Sequence, residues 1–90
     1  MLDIRYHTKF KKDFKSIVKR GYDTRLLKAV VEILCNEQPL PTKYKDHNLV
    51  GNYAGFRECH ITPDWLLIYK IEHESLTLLL TRTGTHSDLF

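Results

Sequence analysis

The 90-residue sequence has only two cysteines and three prolines, and it contains no long apolar run. Cys35 and Cys59 lie far apart and form no Cys-x-x-Cys pair, which argues against a disulfide scaffold or a zinc knuckle. One of the longest uninterrupted apolar runs is residues 65–69, far short of the roughly 20 residues that span a bilayer. No association with a membrane is predicted.

The first seven residues lack the order of basic, apolar and small residues that marks a secretory signal, so a cytoplasmic location is expected. The apolar content of 42%, with 11% aromatic residues, is typical of a globular protein and argues against disorder. Ninety residues are enough for one hydrophobic core and too few for two. The sequence therefore predicts a single domain over residues 1–90.

Charge is distributed unevenly along the chain. Residues 1–28 contain nine Lys or Arg and three Asp, whereas residues 29–90 contain five basic and eight acidic side chains. A basic N-terminal third is suited to a polyanion or to an acidic protein partner. A solvated, lysine-rich helix face explains the same charge equally well.

Hydrophobic periodicity predicts a strand followed by two helices. Residues 2–6 alternate between apolar and polar side chains, which is typical of a short strand. The following apolar side chains then recur with helical spacing, first at Phe10, Phe14, Ile17 and Val18, and again at Leu27, Val30, Val31 and Leu34. Thr8 and Asp23 are the predicted N-caps, and Gly21 is a predicted left-handed C-terminal cap.

The rest of the chain predicts a long loop and three strands. Residues 38–52 contain two prolines and a glycine and are expected to form the loop, and the strands are expected at residues 53–61, 65–71 and 76–81. The middle strand is almost wholly apolar and should be central. The expected fold is therefore α+β, with an N-terminal strand and an antiparallel helix hairpin packed on an antiparallel sheet of about four strands.

Several reactive side chains fall at one edge of this expected sheet. In an antiparallel meander, the end of the first strand, the start of the second and the end of the third meet at the same edge. Those positions are His60, Asp64 with Trp65, and Arg82. Gly84 permits a turn that brings His86 and Phe90 back over the edge.

This set of side chains suits cleavage of RNA. Two histidines can serve as general base and general acid near neutral pH, and an arginine can stabilise charge that develops on a phosphate. Trp65 and Phe90 offer faces on which unpaired bases could stack. A base would deprotonate a ribose 2′-hydroxyl, and an acid would protonate the departing 5′-oxygen.

Each residue also has an ordinary structural explanation. His60 is compatible with a hydrogen-bonded strand end, Asp64 with a turn after proline, Trp65 with the core and Arg82 with a solvated strand end. A metal site is a further alternative, with ligands from His47, His60, Asp64 and His86. It is weaker because no pair of histidines has the helical spacing typical of zinc sites.

The C-terminal half resembles the YafQ-type branch of the RelE/ParE toxin superfamily. The residues that carry the resemblance are Asp46, His47, Leu49, Gly51, Tyr53, Gly55, the run of residues 56–61, Pro63, Asp64, the run of residues 65–69, and Arg82, Thr83, Gly84, Thr85, His86, Ser87, Leu89 and Phe90. Residues 1–40 match only in their pattern of elements. Tyr53 stands where the family often has tryptophan, which is a conservative change.

The resemblance implies a bacterial, ribosome-dependent endoribonuclease that cuts mRNA in the ribosomal A site, needs no metal or other cofactor and is silenced by an antitoxin. His47, His60, Asp64 and His86 would then transfer protons, with His86 the leading general acid and His47 a candidate base. Arg82 would stabilise the phosphate, while Trp65 and Phe90 would shape the pocket and hold RNA. The basic surface with Lys11, Lys12 and Lys15 would face ribosomal RNA, an acidic antitoxin segment or both.

A protein without enzymatic activity is the main alternative within the same superfamily. The gyrase-inhibiting branch, or a relic that binds only its antitoxin, would have the same fold. The presence of His60, Asp64, Arg82 and His86 together favours the enzyme, because a pure binding protein has no need for an acid, a base and a phosphate-binding group at one edge.

Overall fold

The computed structural model describes residues 1–90 as one five-stranded sheet with two main helices and a short C-terminal helix. The elements are β1 (Asp3–Tyr6), α1 (Thr8–Lys19), α2 (Thr24–Cys35), β2 (His47–Asn48), β3 (Arg57–Thr62), β4 (Trp65–Glu72), β5 (Thr77–Gly84) and α3 (His86–Leu89). The strand order is β1-β5-β4-β3-β2. β1 pairs parallel with β5, and the other pairs are antiparallel.

The helix ends agree with two of the three predicted caps. Asp23 accepts a hydrogen bond from the Arg25 backbone N–H at 3.0 Å, as expected for an N-cap. Gly21 adopts φ +80°, and its N–H bonds to the Val18 carbonyl, which closes the end of α1. The prediction for Thr8 is wrong, because His7 caps α1 by accepting the Lys9 N–H at its Nδ1 atom.

The expected fold class is confirmed, with one more strand than predicted. The additional strand is β2, which lies within the predicted loop and pairs antiparallel with β3. Two residues are too few to show an alternation, so this strand left no signal in the sequence. The strand predicted at residues 53–61 begins later than expected, at Arg57, because Gly51–Tyr53 forms a 3₁₀ turn.

The central strand β4 divides two apolar clusters, since alternate side chains point to opposite faces of a sheet. Trp65, Leu67 and Tyr69 join the main core with apolar residues of α1 and α2. Leu66 and Ile68 face the other side, where they pack with Leu89 of α3 and with Leu49, Tyr53 and Phe56 of the irregular segment before β3. The second face of the sheet is thus only partly covered. None of the helices is long and apolar enough to cross a membrane.

Candidate active site

Strand pairing places two of the predicted histidines beside a carboxylate on the partly covered face. His47 of β2 is directly opposite Glu58 of β3, and His60 follows Glu58 by two residues and so shares its face. Glu58 Oε1 lies 3.4 Å from His47 Nε2 and 3.8 Å from His60 Nε2. The Glu58 side chain is only 8% exposed. A shielded carboxylate thus lies beside the Nε2 atoms of both imidazole rings.

Backbone carbonyls orient both rings. His47 Nδ1 lies 2.7 Å from the Lys45 carbonyl oxygen, and His60 Nδ1 lies 3.4 Å from the Pro63 carbonyl oxygen. A carbonyl oxygen only accepts, so Nδ1 of His47 donates and its Nε2 is the atom that gains and loses a proton. That atom faces Glu58. This arrangement fits a general base.

A hydrogen-bond network fixes the strand that carries His47. Asp46 accepts from the Tyr69 hydroxyl at 2.5 Å and from Arg57 Nη2 at 3.0 Å. Arg57 Nη1 also donates to Asn48 Oδ1 at 2.6 Å. The Asp46 carboxylate raises the pKa of Arg57, and burial together with Asp46 raises the pKa of Tyr69. β2 has only two residues, and these side-chain bonds add to its backbone pairing with β3.

The C-terminal segment carries His86 back to this edge of the sheet. Thr85 and Asp88 form a capping box at the start of α3, with Thr85 N–H donating to Asp88 Oδ2 at 2.8 Å. Gly84 has φ +156°, and a Cβ atom there would lie 2.9 Å from Asp88 Oδ2. Glycine is therefore required for the turn that the sequence predicted. Leu89 is buried and anchors the segment.

Three predicted site residues line one cleft of about 540 Å³ at the end of the sheet. They are His60, Asp64 and His86, and we call this space the histidine cleft. Its other lining residues are Tyr22, Pro63, Leu66, Thr85 and Ser87. His47 stands beside the cleft, with its ring centroid 6.5 Å from that of His60. The structure thus brings together all four histidine and aspartate residues of the predicted acid–base group.

Phe90 also lies at this edge. Its ring centroid is 4.9 Å from that of His86 and 5.9 Å from that of Tyr53, and the side chain of Phe90 remains exposed. An exposed aromatic ring beside a histidine offers a surface to an unpaired base. The position is compatible with the predicted role in holding RNA.

Trp65 does not offer such a surface. Its side chain is 1% exposed, its Nε1 donates to Thr83 Oγ1 at 2.8 Å, and its ring packs edge-on against Tyr22. The prediction that Trp65 provides a stacking face is wrong, because the first residue of β4 points toward the helices. Its contribution is to the core beneath the cleft.

Arg82 is engaged by an ion pair. Its Nε and Nη2 atoms donate to the Asp13 carboxylate of α1 at 2.6 and 3.1 Å, and Asp13 raises the pKa of the guanidinium. Arg82 is not among the residues that line the histidine cleft. The Nη1 atom makes no hydrogen bond to Asp13, and the neighbouring Tyr53 hydroxyl also contributes to the raised pKa of Arg82.

The predicted lysines of α1 lie away from this edge. Lys11 and Lys15 border a groove of about 600 Å³ between α1 and α2, together with Lys28 of α2. The apolar lining of this helix groove comes from Tyr6, Phe10, Phe14, Leu27, Val31 and Leu80. Lys12 is exposed but does not line the groove. The basic surface and the histidine cleft are therefore separate.

The metal alternative required convergence of His47, His60, Asp64 and His86. No group of three or more His, Cys, Asp or Glu side chains is arranged so that it could hold a metal ion. The four residues surround the cleft edge without forming a ligand set.

Three carboxylates at or near the site were not identified from the sequence: Asp13, Asp46 and Glu58. For Glu58 a signal existed, because a residue two positions before a candidate histidine in a strand shares its face. Asp13 and Asp46 act through partners 69 and 23 residues away, respectively, and no local pattern reveals such pairs.

Comparison with known proteins agrees with the fold. The family model described as the bacterial toxin of the type II toxin–antitoxin system, YafQ, matches residues 2–90. The mRNA interferase toxin YafQ of Escherichia coli K12 is 45% identical over 89 residues, which cover 98% of this chain and 95% of that protein.

Solved structures show the same similarity. A metal-bound toxin from Helicobacter pylori superposes with a TM-score of 0.94 at 53% identity, with both chains fully covered. The toxin in the E. coli DinJ–YafQ complex has a TM-score of 0.90 at 44% identity, covering 100% of this chain and 99% of that one. The chain belongs to the YafQ family of bacterial toxins of type II toxin–antitoxin systems.

Proposed function

We propose that this toxin is an mRNA interferase that cleaves mRNA in the A site of the ribosome. The observation that carries the proposal is the histidine cleft, where His60, Asp64 and His86 share one space beside the His47–Glu58 pair. The similarity to the mRNA interferase of E. coli supports the same activity. An enzyme acting on ribosomes would work in the cytoplasm.

The reaction needs one proton acceptor and one proton donor on opposite sides of a phosphate. Nε2 of His47 takes the proton from the ribose 2′-hydroxyl, and the 2′-oxygen forms a bond to phosphorus. The bond from phosphorus to the 5′-oxygen then breaks, and His86 protonates that oxygen. The products are a 2′,3′-cyclic phosphate and a free 5′-hydroxyl. Glu58 stabilises the imidazolium that forms on His47.

His60 and Asp64 support this transfer from within the cleft. His60 lies next to Glu58 and also lines the histidine cleft, so it can relay protons between Glu58 and the cleft. Arg82 stabilises the negative charge of the phosphorane through the donors that Asp13 leaves free. Phe90 holds a base next to His86.

An antitoxin partner is part of the proposal, since a relative has been solved as the DinJ–YafQ toxin–antitoxin complex. The helix groove combines an apolar floor with lysines at its borders, and it would accept an amphipathic acidic segment. The same lysines would face ribosomal RNA during catalysis. Competition for this surface is one way in which the antitoxin would silence the toxin.

The test maps the 5′ ends of mRNA after induction of the wild type and of His86→Ala in the same cells. We expect in-frame cuts in translated regions for the wild type and none for the variant. His73→Ala is the matched control, because His73 is exposed in the β4–β5 turn and lines none of the clefts described above. It should keep both cutting and toxicity.

Toxicity of His86→Ala at the wild-type level, with circular dichroism showing an intact fold, would overturn the catalytic assignment. Wild-type toxicity without in-frame cuts would instead favour a target such as gyrase. These outcomes separate the enzyme from a toxin of the same fold that only binds a protein.

A further inference from the structure

A second cleft adjoins the histidine cleft at His60 and Pro63. It has a volume of about 400 Å³, and we call it the lysine cleft. Its remaining lining residues are Leu26, Lys43, Tyr44, Lys45, Ile61 and Thr62. His60 therefore stands between two spaces, one with acid–base residues and one with two cations.

The two clefts differ in charge. Neither Lys43 nor Lys45 has a carboxylate within ion-pair distance, so both ammonium groups are available to an anion. The histidine cleft contains Asp64 and no lysine or arginine. A phosphate diester next to the reacting one would therefore be attracted to the lysine side.

The lysine cleft also has an apolar wall. Tyr44 is partly buried against the main core, and Lys43 Nζ lies 5.0 Å from the centroid of its ring. Leu26, which is exposed, also lines the cleft. A cation beside an anchored aromatic ring is the combination that binds a phosphate and an unpaired base of single-stranded RNA.

Lys45 links this cleft to the catalytic group through the backbone. It has φ +50°, which is uncommon for a residue with a Cβ atom. Its N–H bonds to the Thr42 carbonyl, and its own carbonyl faces Nδ1 of His47. The conformation that orients the imidazole of His47 thus also fixes where the Lys45 side chain leaves the backbone.

We propose that the lysine cleft is an RNA subsite that binds the nucleotide adjacent to the scissile phosphate. Single-stranded mRNA would pass from the lysine cleft, over His60, into the histidine cleft. Lys43 and Lys45 would contact the neighbouring phosphate, while Tyr44 and Leu26 would contact its base. This inference rests on the proposed nuclease function and extends it, because an enzyme that cuts inside a chain holds RNA on both sides of the cut.

Neither lysine touches the reacting atoms in this arrangement, so both act on binding and not on proton transfer. The test uses Lys43→Gln, Lys45→Gln and the double variant in single-turnover cleavage on mRNA-programmed ribosomes. Lys45→Arg keeps the charge, and Lys9→Gln is the matched control, since Lys9 is exposed on α1 and lines none of the clefts described above.

For the double variant we expect the half-saturating toxin concentration to rise by about tenfold at low salt, with a maximal rate within about twofold of wild type. The slope of log affinity against log salt is negative, and its magnitude should decrease by about 0.7 for each substituted lysine that contacts a phosphate. Lys45→Arg should restore most of the affinity lost in Lys45→Gln. Lys9→Gln should behave as wild type.

A binding experiment in the inactive His86→Ala background identifies the nucleic acid. The double lysine substitution should weaken binding to ribosomes with mRNA in the A site and leave binding to ribosomes with an empty A site unchanged. An equal loss with and without mRNA would overturn the proposal in favour of a ribosomal RNA contact. An unchanged half-saturating concentration would show that the lysines are merely solvated.

A lower maximal rate of the lysine variants at an unchanged half-saturating concentration would also overturn the proposed RNA subsite, because the substitutions would then act by displacing His47. Failure of the nuclease assignment is recognised separately, by cleavage in the His86→Ala variant or by no cleavage with wild type.

Discussion

Asp13 of α1 and Arg82 of β5 are 69 residues apart in the sequence and are joined by hydrogen bonds of 2.6 and 3.1 Å. The same carboxylate also accepts the backbone N–H of Thr83 at 3.2 Å. The two charged side chains are only 16% and 18% exposed. The Asp13 carboxylate thus ties the first helix to β5 and contributes to the orientation of the proposed phosphate-binding arginine.

We expect Asp13→Ala to lower the free energy of unfolding by about 2 kcal/mol, because it leaves Arg82 partly buried without its partner. The maximal cleavage rate should also fall, since the guanidinium loses its fixed orientation. Urea denaturation measures the first effect and single-turnover cleavage the second. Asp3→Ala is the control, as Asp3 is exposed and has no ion pair. Unchanged stability and rate would show that the pair is incidental.

For Glu58→Gln we expect a decrease of about tenfold to a hundredfold in the maximal cleavage rate, with little change in RNA binding. The glutamine fills the same space but cannot stabilise charge on His47 and His60. Single-turnover kinetics on mRNA-programmed ribosomes measures the effect.

A control for Glu58 is Glu74→Gln, which removes the same charge from the exposed β4–β5 turn. A rate equal to wild type in Glu58→Gln would mean that the carboxylate only spaces the two rings.

A third prediction concerns the anchoring of α3, which carries His86. Arg20 Nη1 donates to Asp88 Oδ2 at 2.9 Å, and a four-residue helix has little stability of its own. Arg20→Ala and Asp88→Asn should each lower the cleavage rate by about twofold to fivefold. The cleavage rate of the double variant should be no lower than that of Asp88→Asn alone. A double-mutant cycle measures this coupling. Additive losses would show that the two residues act independently.

The Asp88 carboxylate also makes the stability of the fold depend on pH. The hydrogen bond from Arg20, with that from the Thr85 N–H, lowers the pKa of Asp88 to about 2. Because the pKa of Asp88 is lowered in the folded state, its carboxylate adds to the free energy of unfolding above the unfolded-state pKa of about 4. This contribution is lost as the pH falls toward about 2. The melting temperatures of wild type and Asp88→Asn should differ slightly at pH 6 and converge near pH 2. A constant difference across this range would contradict the assignment.

Charge reversal on the helix groove should weaken ribosome binding. We expect Lys11→Glu together with Lys15→Glu to reduce affinity strongly at low salt and progressively less as salt rises. Sedimentation with ribosomes measures the effect, and Lys9→Glu is the control. Unchanged affinity at low salt would mean that this face is only solvated.

The residue pattern predicted the main elements well. Both helices, the central strand β4 and the turn at Gly84 follow from periodicity and from the conformational needs of glycine, which are local properties. The meeting of His60 and Asp64 also followed, because hairpin connectivity fixes which strand ends meet, whereas for His86 the sequence indicated only that Gly84 permits the turn. The short strand β2 was missed, since two residues carry no periodicity.

The sequence by itself thus determined the α+β architecture, the resemblance to YafQ toxins and the edge of the sheet that carries the reactive groups. Only the tertiary structure placed Trp65 in the core, tied Arg82 to Asp13 and set Glu58 between two histidines. The reason is physical. Local patterns record which face a residue occupies, whereas ion pairs and clefts depend on distances between segments that are far apart in the chain.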